Sequence, residues 1–503
     1  MSKQPEYIIV QAGGKGTRMQ HLTRNKPKAL VPINNLPMLF HLFRKYPNSK
    51  YIIIGDYHYE VLERYLHAFA EVEYQMVCAS GYSGTCAGLR ESLSHLPSST
   101  PFLLIWSDLI LPEEFVLPDR PGNYVGVAKD FPCRWKYENG CFKEERSEQF
   151  GVAGLFYFCG REELEQVPEE GEFVRWLSGT GKRFDSMPLY KVKEYGLLAE
   201  YEKLGAARCR PFNRISVQDG LFIKEAIDAQ GEELAVRETA WYQKVAGQHF
   251  SNIPRIVDYQ PLKMEYIDGA PIYECEDLSL EQKRDILGQI VGCLKQVQNL
   301  EQAPTDVDSV MEAYIGKTYK RLEKVRELVP FAQDDYITIN GRRCRNVFNC
   351  REALEKMVRQ YIPKTFKLIH GDCTFSNIML RKDGTPVLID PRGYFGFTEI
   401  FGDPAYDWAK LYYSIVGNYD QFNRKRFSLE IGTEEVQLSI ASNGWELLEP
   451  DFLQMLSGEV TQHQLKLLHA LIWLSLTTYA WEDYDSICGA YYNGLYYLEE
   501  LFS

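Results

Sequence analysis

The chain lacks any run of about eighteen apolar residues, so none of its 503 residues reads as part of a membrane-crossing helix, and no membrane partner is expected. It also lacks a basic excess. Lysine and arginine total 56 against 69 aspartates and glutamates, and the formal net charge of -13 argues against a nucleic-acid backbone as partner. Any phosphate is therefore expected to be met in a small, local basic pocket. The 12 cysteines include no Cys-x-x-Cys pair and no His-rich neighbourhood, so neither a zinc site nor a disulfide framework is indicated. They read as reduced, mostly buried thiols. No internal repeat and no low-complexity tract interrupts the chain. The start "MSKQPEYIIVQAGG" runs straight into a strand-like segment without the basic flank, apolar run and cleavage site of a secretory leader, and the cytoplasm is the expected location.

What is present is ordinary globular composition, 45% apolar and 25% charged, at a length that suggests two domains. In the first part, "YIIVQAGG", "KYIIIGDY", "VEYQMVCA", "PFLLIWSD", "YVGVAKD" and "VAGLFYFCG" are β-rich runs spaced by segments of helical period such as "PMLFHLFRKY" and "GTCAGLRESLSHL". That alternation predicts a parallel, doubly wound α/β sheet whose ligands sit at the C-terminal ends of its strands. Residues 119 to 150 read mostly as loop and insertion. Near residues 202 to 212 the pattern changes, and "RISVQDGLFIKEAI" predicts two antiparallel strands around a turn at Asp219-Gly220. The expected domains are therefore 1–205 and 206–503. The second is mainly helical beyond residue 278, with a hairpin at Asn340-Gly341.

The first strand ends in "AGGKGTR", where glycines let the backbone approach a phosphate chain with its N–H groups turned inward. The longer string "AGGKGTRMQHLTRNKPKALVPINNLPML" resembles the signature of the sugar-phosphate nucleotidyltransferases (pyrophosphorylases). Such enzymes join a phosphomonoester to the α-phosphate of a nucleoside triphosphate, so two anions must be brought together by cations. The resemblance implies nucleotide binding by Gly13, Gly14, Gly16 and Thr17, with Arg18 on the departing pyrophosphate and Lys28 between the reacting phosphates. It also implies Asp108 as a Mg²⁺ ligand, and Gly84 and Thr85 of "SGTCAGLRESL" beside base and sugar. "KVKEYGLLAEY" offers Glu194 as the second metal carboxylate, in a local pattern that departs from the family's. His21 stands where the family has Pro and is expected as a packing replacement; Ser107-Asp108 stands where it has Gly-Asp. By themselves, Asp108 also suits a helix N-cap and Glu194 a surface position.

A second constellation lies in "LIHGDCTFSNIMLRKDGTPVLIDPRG". His-Gly-Asp-x-x-x-x-Asn followed by Ile-Asp resembles the catalytic and metal-binding loop of the kinase-like small-molecule phosphotransferases, the group of aminoglycoside phosphotransferases and choline kinases. The resemblance implies a bilobal, protein-kinase-like α+β domain in which Asp372 handles the acceptor hydroxyl, Asn377 and Asp390 hold Mg²⁺ on ATP, and His370 braces the loop. It further places Lys224 on the α- and β-phosphates, Glu238 as its partner, the backbone near Glu265 and Tyr266 at the adenine, and Asp407 as a buttress. Arg392, in "DPRG" where protein kinases have Asp-Phe-Gly, could contact the acceptor or a phosphate, and an ion pair within the loop is the simpler expectation.

A kinase makes the phosphomonoester that a nucleotidyltransferase consumes, so the two resemblances together imply a bifunctional enzyme. It would use ATP, a second nucleoside triphosphate (CTP or UTP) and Mg²⁺ to activate a small hydroxyl compound for surface polysaccharide or glycoconjugate synthesis. A sugar acceptor is favoured, and choline or another amino alcohol is the second reading. Trp473, Tyr479 and Trp481 beside Glu482, Asp483 and Asp485 could cage a trimethylammonium group or stack on a sugar, although core packing explains the aromatics more simply. A regulatory scaffold of two degenerate enzyme folds is a further reading, opposed by the joint presence of so many charged motif residues.

Overall fold

In a computed structural model, residues 4–204 and 213–502 are described. The expected boundary between 205 and 206 lies outside them. The described residues form two compact units, 4–204 with Trp481–Asp485, and 213–480 with 486–502. Among them no helix is long and apolar enough to cross a membrane.

The main sheet of the first unit is built on four parallel strands in the spatial order Phe102–Trp106, Tyr7–Gln11, Lys50–Gly55 and Tyr74–Cys78. Three of them are buried for most of their length, as expected for strands covered on both faces by helices such as Met38–Lys45 and Tyr59–Phe69. The sheet is not parallel throughout. Gly151–Phe158 runs antiparallel to both Phe102–Trp106 and Tyr124–Ala128, and the latter pairs in parallel with Asp185–Leu189. The supposed loop region also holds a ribbon, Lys136–Glu138 with Cys141–Lys143, that extends the sheet edge. A fully apolar run such as "GVAGLFYF" specifies burial on both faces but carries no information about strand direction. Direction follows from where the chain re-enters the sheet. Gly154, at φ 81°, lies where the ladder shifts register; a Cβ there would stand 1.4 Å from the Trp106 ring.

The core of this unit is aromatic, with Phe102, Phe156, Phe158, Phe173 and Phe184 in mutual contact. Truncating one of these rings costs about 3–5 kcal/mol. Trp481 joins a second group, its ring 5.5 Å from Phe40 and 5.9 Å from Phe69. Behind it, buried Lys26 lies 2.9 Å from Asp483 and 2.5 Å from Asp485. Burial alone would lower the pKa of this lysine, but the two carboxylates outweigh it and raise the value above normal.

The second unit starts with the sheet Asn213–Gln218, Leu221–Ala226, Leu262–Glu265 and Ile256–Tyr259. Asp219 and Gly220, both at positive φ (51° and 72°), form the expected two-residue hairpin turn. Asn340 and Gly341 do the same between Tyr336–Ile339 and Arg342–Arg345. The helix Ala229–Gly247 follows the first hairpin, its N-cap Asp228 accepting from the Gly231 N–H. Leu280–Leu300 opens on a capping box of Ser279 and Gln282. A helical body follows, including Pro404–Ile415, Gln462–Leu476 and Tyr484–Glu499. Trp473 is fully buried in that body, packed on Tyr413 and Phe422, so core packing accounts for it.

Candidate active sites

The first site grows from the C-terminal ends of parallel strands. After Gln11 the chain must turn close to the next strand: a Cβ on Gly13 would stand 2.9 Å from Asp56 Cβ, and one on Gly16, at φ 61°, 2.9 Å from Thr23 Cγ2. Gly14 and Thr17 are exposed on the loop's outer face. Lys28 forms a short, largely buried ion pair with Asp108, which follows the strand Phe102–Trp106 and caps no helix. Glu194 is not a bare surface residue. The short strand Lys193–Glu194 pairs with Leu109–Ile110, and the Tyr195 N–H donates to the Asp108 carbonyl at 3.1 Å. Burial first, and then the Asp108 carboxylate, raise the Glu194 pKa against the pull of Lys28 and Arg18. Arg18, 65% exposed, reaches Glu194 at 4.0 Å.

Gly84 and Thr85 occupy a neighbouring turn joined to the first strand by Gln11 Nε2, which donates to the Thr85 carbonyl at 2.7 Å. Thr85 Oγ1 accepts from the Phe173 N–H at 2.8 Å, and a Cβ on Gly84 would stand 2.4 Å from the Gly171 carbonyl. Both therefore have structural work to do in holding this turn against residues 171–173. His21 is exposed rather than packed. It lines a shallow cleft of about 520 Å³ with Lys15, Thr17, Thr23, Arg24 and Tyr57. Lys15 and Arg24 stand in the motif string itself, but spacing alone does not tell which of its cations share a face.

The second site is a hydrogen-bonded network. Lys224 bridges Glu238 at 2.8 Å and Asp390 at 2.7 Å. Burial pushes the Glu238 carboxyl up to about 7, with Lys224 opposing and Asp390 adding to the rise. Asp390 sits in the left-handed region at φ 52°. Asn377 Nδ2 donates to the Asp372 carbonyl at 2.8 Å and to its Oδ2 at 3.0 Å, which leaves the Asn377 Oδ1 as a metal-capable oxygen. His370 is fully buried. Its Nε2 lies 3.0 Å from the Ile389 carbonyl and its Nδ1 accepts from the Asp372 N–H at 3.3 Å, a pattern of the neutral ring. Burial lowers its pKa to about 4, so it braces the loop without titrating near neutrality. Asp407 accepts from the Gly371 N–H at 2.7 Å and the His370 N–H at 3.1 Å. Burial pushes its pKa up to about 6, while these N–H groups pull against the rise.

At the position expected for the adenine, the N–H groups of Glu265 and Tyr266 donate to the carbonyls of Arg255 and Gly220, and the Glu265 carboxylate pairs closely with Arg381. Two details differ from expectation. Arg392 forms no ion pair among the described residues; its guanidinium donates to the Tyr406 and Tyr394 hydroxyls at 2.7 and 2.8 Å. Lys410, which no motif named, lies 2.8 Å from Asp372 Oδ1. It follows Asp407 by one helical turn on Pro404–Ile415, a spacing that puts both on one face and could have signalled it.

Among the described residues no cluster of three or more His, Cys, Asp or Glu could hold a metal by itself. Mg²⁺ takes one or two carboxylates and completes its shell with substrate phosphates and water. Asp108 with Glu194, and Asp390 with Asn377, are hard-oxygen pairs of that kind, the first of them half-buried.

Residues 8–117 match the MobA-like NTP transferase domain, and residues 224–431 the phosphotransferase enzyme family. The chain thus carries both an NTP transferase and a phosphotransferase domain. Among curated proteins it is similar to the bifunctional protein GlmU of Methanococcus vannielii, 25% identical over 167 residues, which are 33% of this chain and 36% of that protein. It is also similar to glucose-1-phosphate thymidylyltransferase of Streptomyces griseus, 28% identical over 127 residues, covering 24% of this chain and 32% of that one. It spans about a third of the length of these relatives. Solved structures similar to it include the inositol-1-phosphate CTP transferase from T. maritima, at 16% identity and TM-score 0.34, covering 40% of this chain and 93% of that one. Another is the CTP:phosphocholine cytidylyltransferase LicC from Streptococcus pneumoniae, at 18% identity and TM-score 0.32, covering 41% and 98%.

Proposed function

We propose that this chain is a bifunctional enzyme of the cytoplasm that phosphorylates a small hydroxyl compound with ATP and then couples the phosphomonoester to CTP or UTP, releasing pyrophosphate. The observation that carries the proposal is the coexistence of two complete charge sets in one chain: Lys28 with Asp108 and Glu194, and Lys224 with Asp390, Asn377 and Asp372. A scaffold descended from either enzyme has no reason to keep both.

In the phosphotransferase step, Asp372 orients the acceptor hydroxyl and takes its proton as the oxygen bonds to the γ-phosphorus and the bond to ADP breaks. Lys410 holds that carboxylate in place, and Asp407 holds the backbone beneath it. Lys224, fixed by Glu238, meets the α- and β-phosphates. In the nucleotidyl step, a phosphomonoester oxygen attacks the α-phosphorus and pyrophosphate leaves. Lys28 lies between the two anions, Arg18 steadies the leaving group, and the N–H groups of the loop 13–17 cradle the triphosphate. Mg²⁺, held by Asp108 and Glu194 in one domain and by Asp390 and Asn377 in the other, would neutralise phosphate charge when bound. The product, a nucleoside-diphosphate-activated compound, is of the kind that feeds surface polysaccharide or glycoconjugate assembly.

The test is an incubation with ATP, CTP or UTP, Mg²⁺ and a panel of sugars and alcohols, with ADP and pyrophosphate followed separately. ADP formation that depends on the acceptor, with pyrophosphate following, is expected. A panel yielding neither would favour the scaffold.

A further inference from the structure

Against Arg392 lies a cavity of about 90 Å³ whose wall also includes Glu312, Lys317, Tyr394, Phe395 and Tyr406. It adjoins the catalytic loop directly: the Arg392 N–H donates to the His370 carbonyl at 2.9 Å, and a Cβ on Gly371 would stand 2.9 Å from Arg392 Cβ. The charge around it is lopsided. Arg392, Arg321 and Lys410 all act on Lys317, with Glu312 opposing them, and Lys410 is already committed to Asp372. Among the described residues no hydrogen bond or ion pair reaches the Lys317 ammonium.

Burial and then these neighbouring cations press the Lys317 pKa well below its ordinary value. The same field acts on Tyr394. Burial would raise its phenol, but Arg392, with Arg321 and Arg237 behind it, brings it below the usual value. The local helix geometry is unusual as well. Glu312–Gly316 is a single π-helical turn ahead of Lys317–Val325, and such turns occur frequently at functional sites because they shift the face that the following helix presents. Cations that outnumber their counter-ions in a buried place are costly unless a ligand supplies the missing charge.

Resting on the phosphotransferase reading above, we infer that this cavity receives an anionic group of the acceptor. The compound phosphorylated is a small alcohol that also carries a carboxylate or a phosphate monoester, with that group on Lys317 and Arg392 and its hydroxyl at Asp372. A quaternary ammonium or amine would meet repulsion in the same place. Of the aromatic and acidic residues that could cage such a cation, Trp473 is buried in the core and Asp483 and Asp485 pair with Lys26.

The experiment measures ADP release by the full-length protein with charge-matched acceptor series: glycerol, glycerate, glycerol phosphate, ethanolamine and choline, then glucose, gluconate and glucose 6-phosphate. An acid or phosphate member is expected to exceed its neutral or amine counterparts by about 100-fold in kcat/KM. Lys317→Met should lose about tenfold or more for that member, through acceptor KM with ATP KM unmoved, and Lys317→Arg should restore most of the loss. A neutral or amine compound as the best acceptor would overturn the inference while leaving the kinase reading intact, as would a Lys317→Met defect confined to ATP KM. If no member releases ADP, the kinase reading fails, and inorganic phosphate decides on the cavity alone. Thermal stabilisation by phosphate that Lys317→Met abolishes supports an anion site, and equal stabilisation of both proteins rejects it.

Discussion

The two candidate phosphate-handling sites are held together by different means. The nucleotidyltransferase loop is open: Arg18, Thr17 and His21 are exposed, while Lys28 is held in a short, largely buried pair with Asp108. The phosphotransferase loop is braced by buried groups, among them His370, Asp407 and Tyr242, whose hydroxyl accepts from the Asp390 N–H at 3.2 Å. A loop built on glycine needs little support, because its precision comes from backbone torsions and close approaches. A loop that must hold a carboxylate poised against Lys410 needs a buried scaffold of satisfied polar groups, since each unsatisfied one costs about 1–3 kcal/mol.

That contrast can be broken most sharply at the reacting groups. Asp372→Ala should lower ADP formation by about 10³–10⁴-fold while leaving pyrophosphate release from a supplied phosphomonoester intact. Lys28→Ala should lower pyrophosphate release by about 10²–10³-fold with ADP formation unaffected. Steady-state assays of the two products on each variant check both, and loss of both activities from either change contradicts independent sites.

The scaffold should reveal itself in stability rather than in chemistry. Asp407→Ala strands the His370 and Gly371 N–H groups in the interior, and about 3 kcal/mol should disappear from the denaturant-unfolding free energy of the phosphotransferase unit. The corresponding test in the open loop is Arg18→Ala. Its 4.0 Å contact with Glu194 is solvent-screened, so stability should change by less than about 0.5 kcal/mol while pyrophosphate release slows.

Between these effects in size lies a pH dependence. Buried His469 accepts from the Trp473 Nε1–H at 3.0 Å, and burial lowers its pKa to about 3. The folded state therefore binds fewer protons than the unfolded state below the ordinary histidine value. Its contribution is fully present above about pH 6.5 and is lost as pH falls toward 3, amounting to about 2 kcal/mol at pH 5. His469→Gln keeps an acceptor for the indole but does not titrate, so its unfolding free energy should fall less steeply between pH 6.5 and 4.

Much of this was legible from residue order. Asp219-Gly220 and Asn340-Gly341 announce their turns because only a few residue types accept positive φ at both positions. The His-Gly-Asp, Asn and Asp positions lie close together in the chain, so their meeting requires little more than one loop. Glu194 was ambiguous because its partner strand, Leu109–Ile110, is remote in sequence and only two residues long. The antiparallel direction of Gly151–Phe158 is not legible in the chain, because burial on both faces looks the same in either sense. Arg392 was assigned a carboxylate and instead meets two phenols, since a cation's partner depends on which helix packs over it.

The linear chain thus determined the elements whose reason is local: turn torsions, helix caps, glycine loops and the spacing of loop-borne carboxylates. The fold alone decided what depends on convergence, namely the placing of Glu194 beside Asp108, the commitment of Lys410 to Asp372, and the gathering of Lys317, Arg321 and Arg392 around one cavity. Torsional preferences act between neighbours along the backbone, whereas Coulomb and desolvation energies depend on distance through space, which no sequence spacing states.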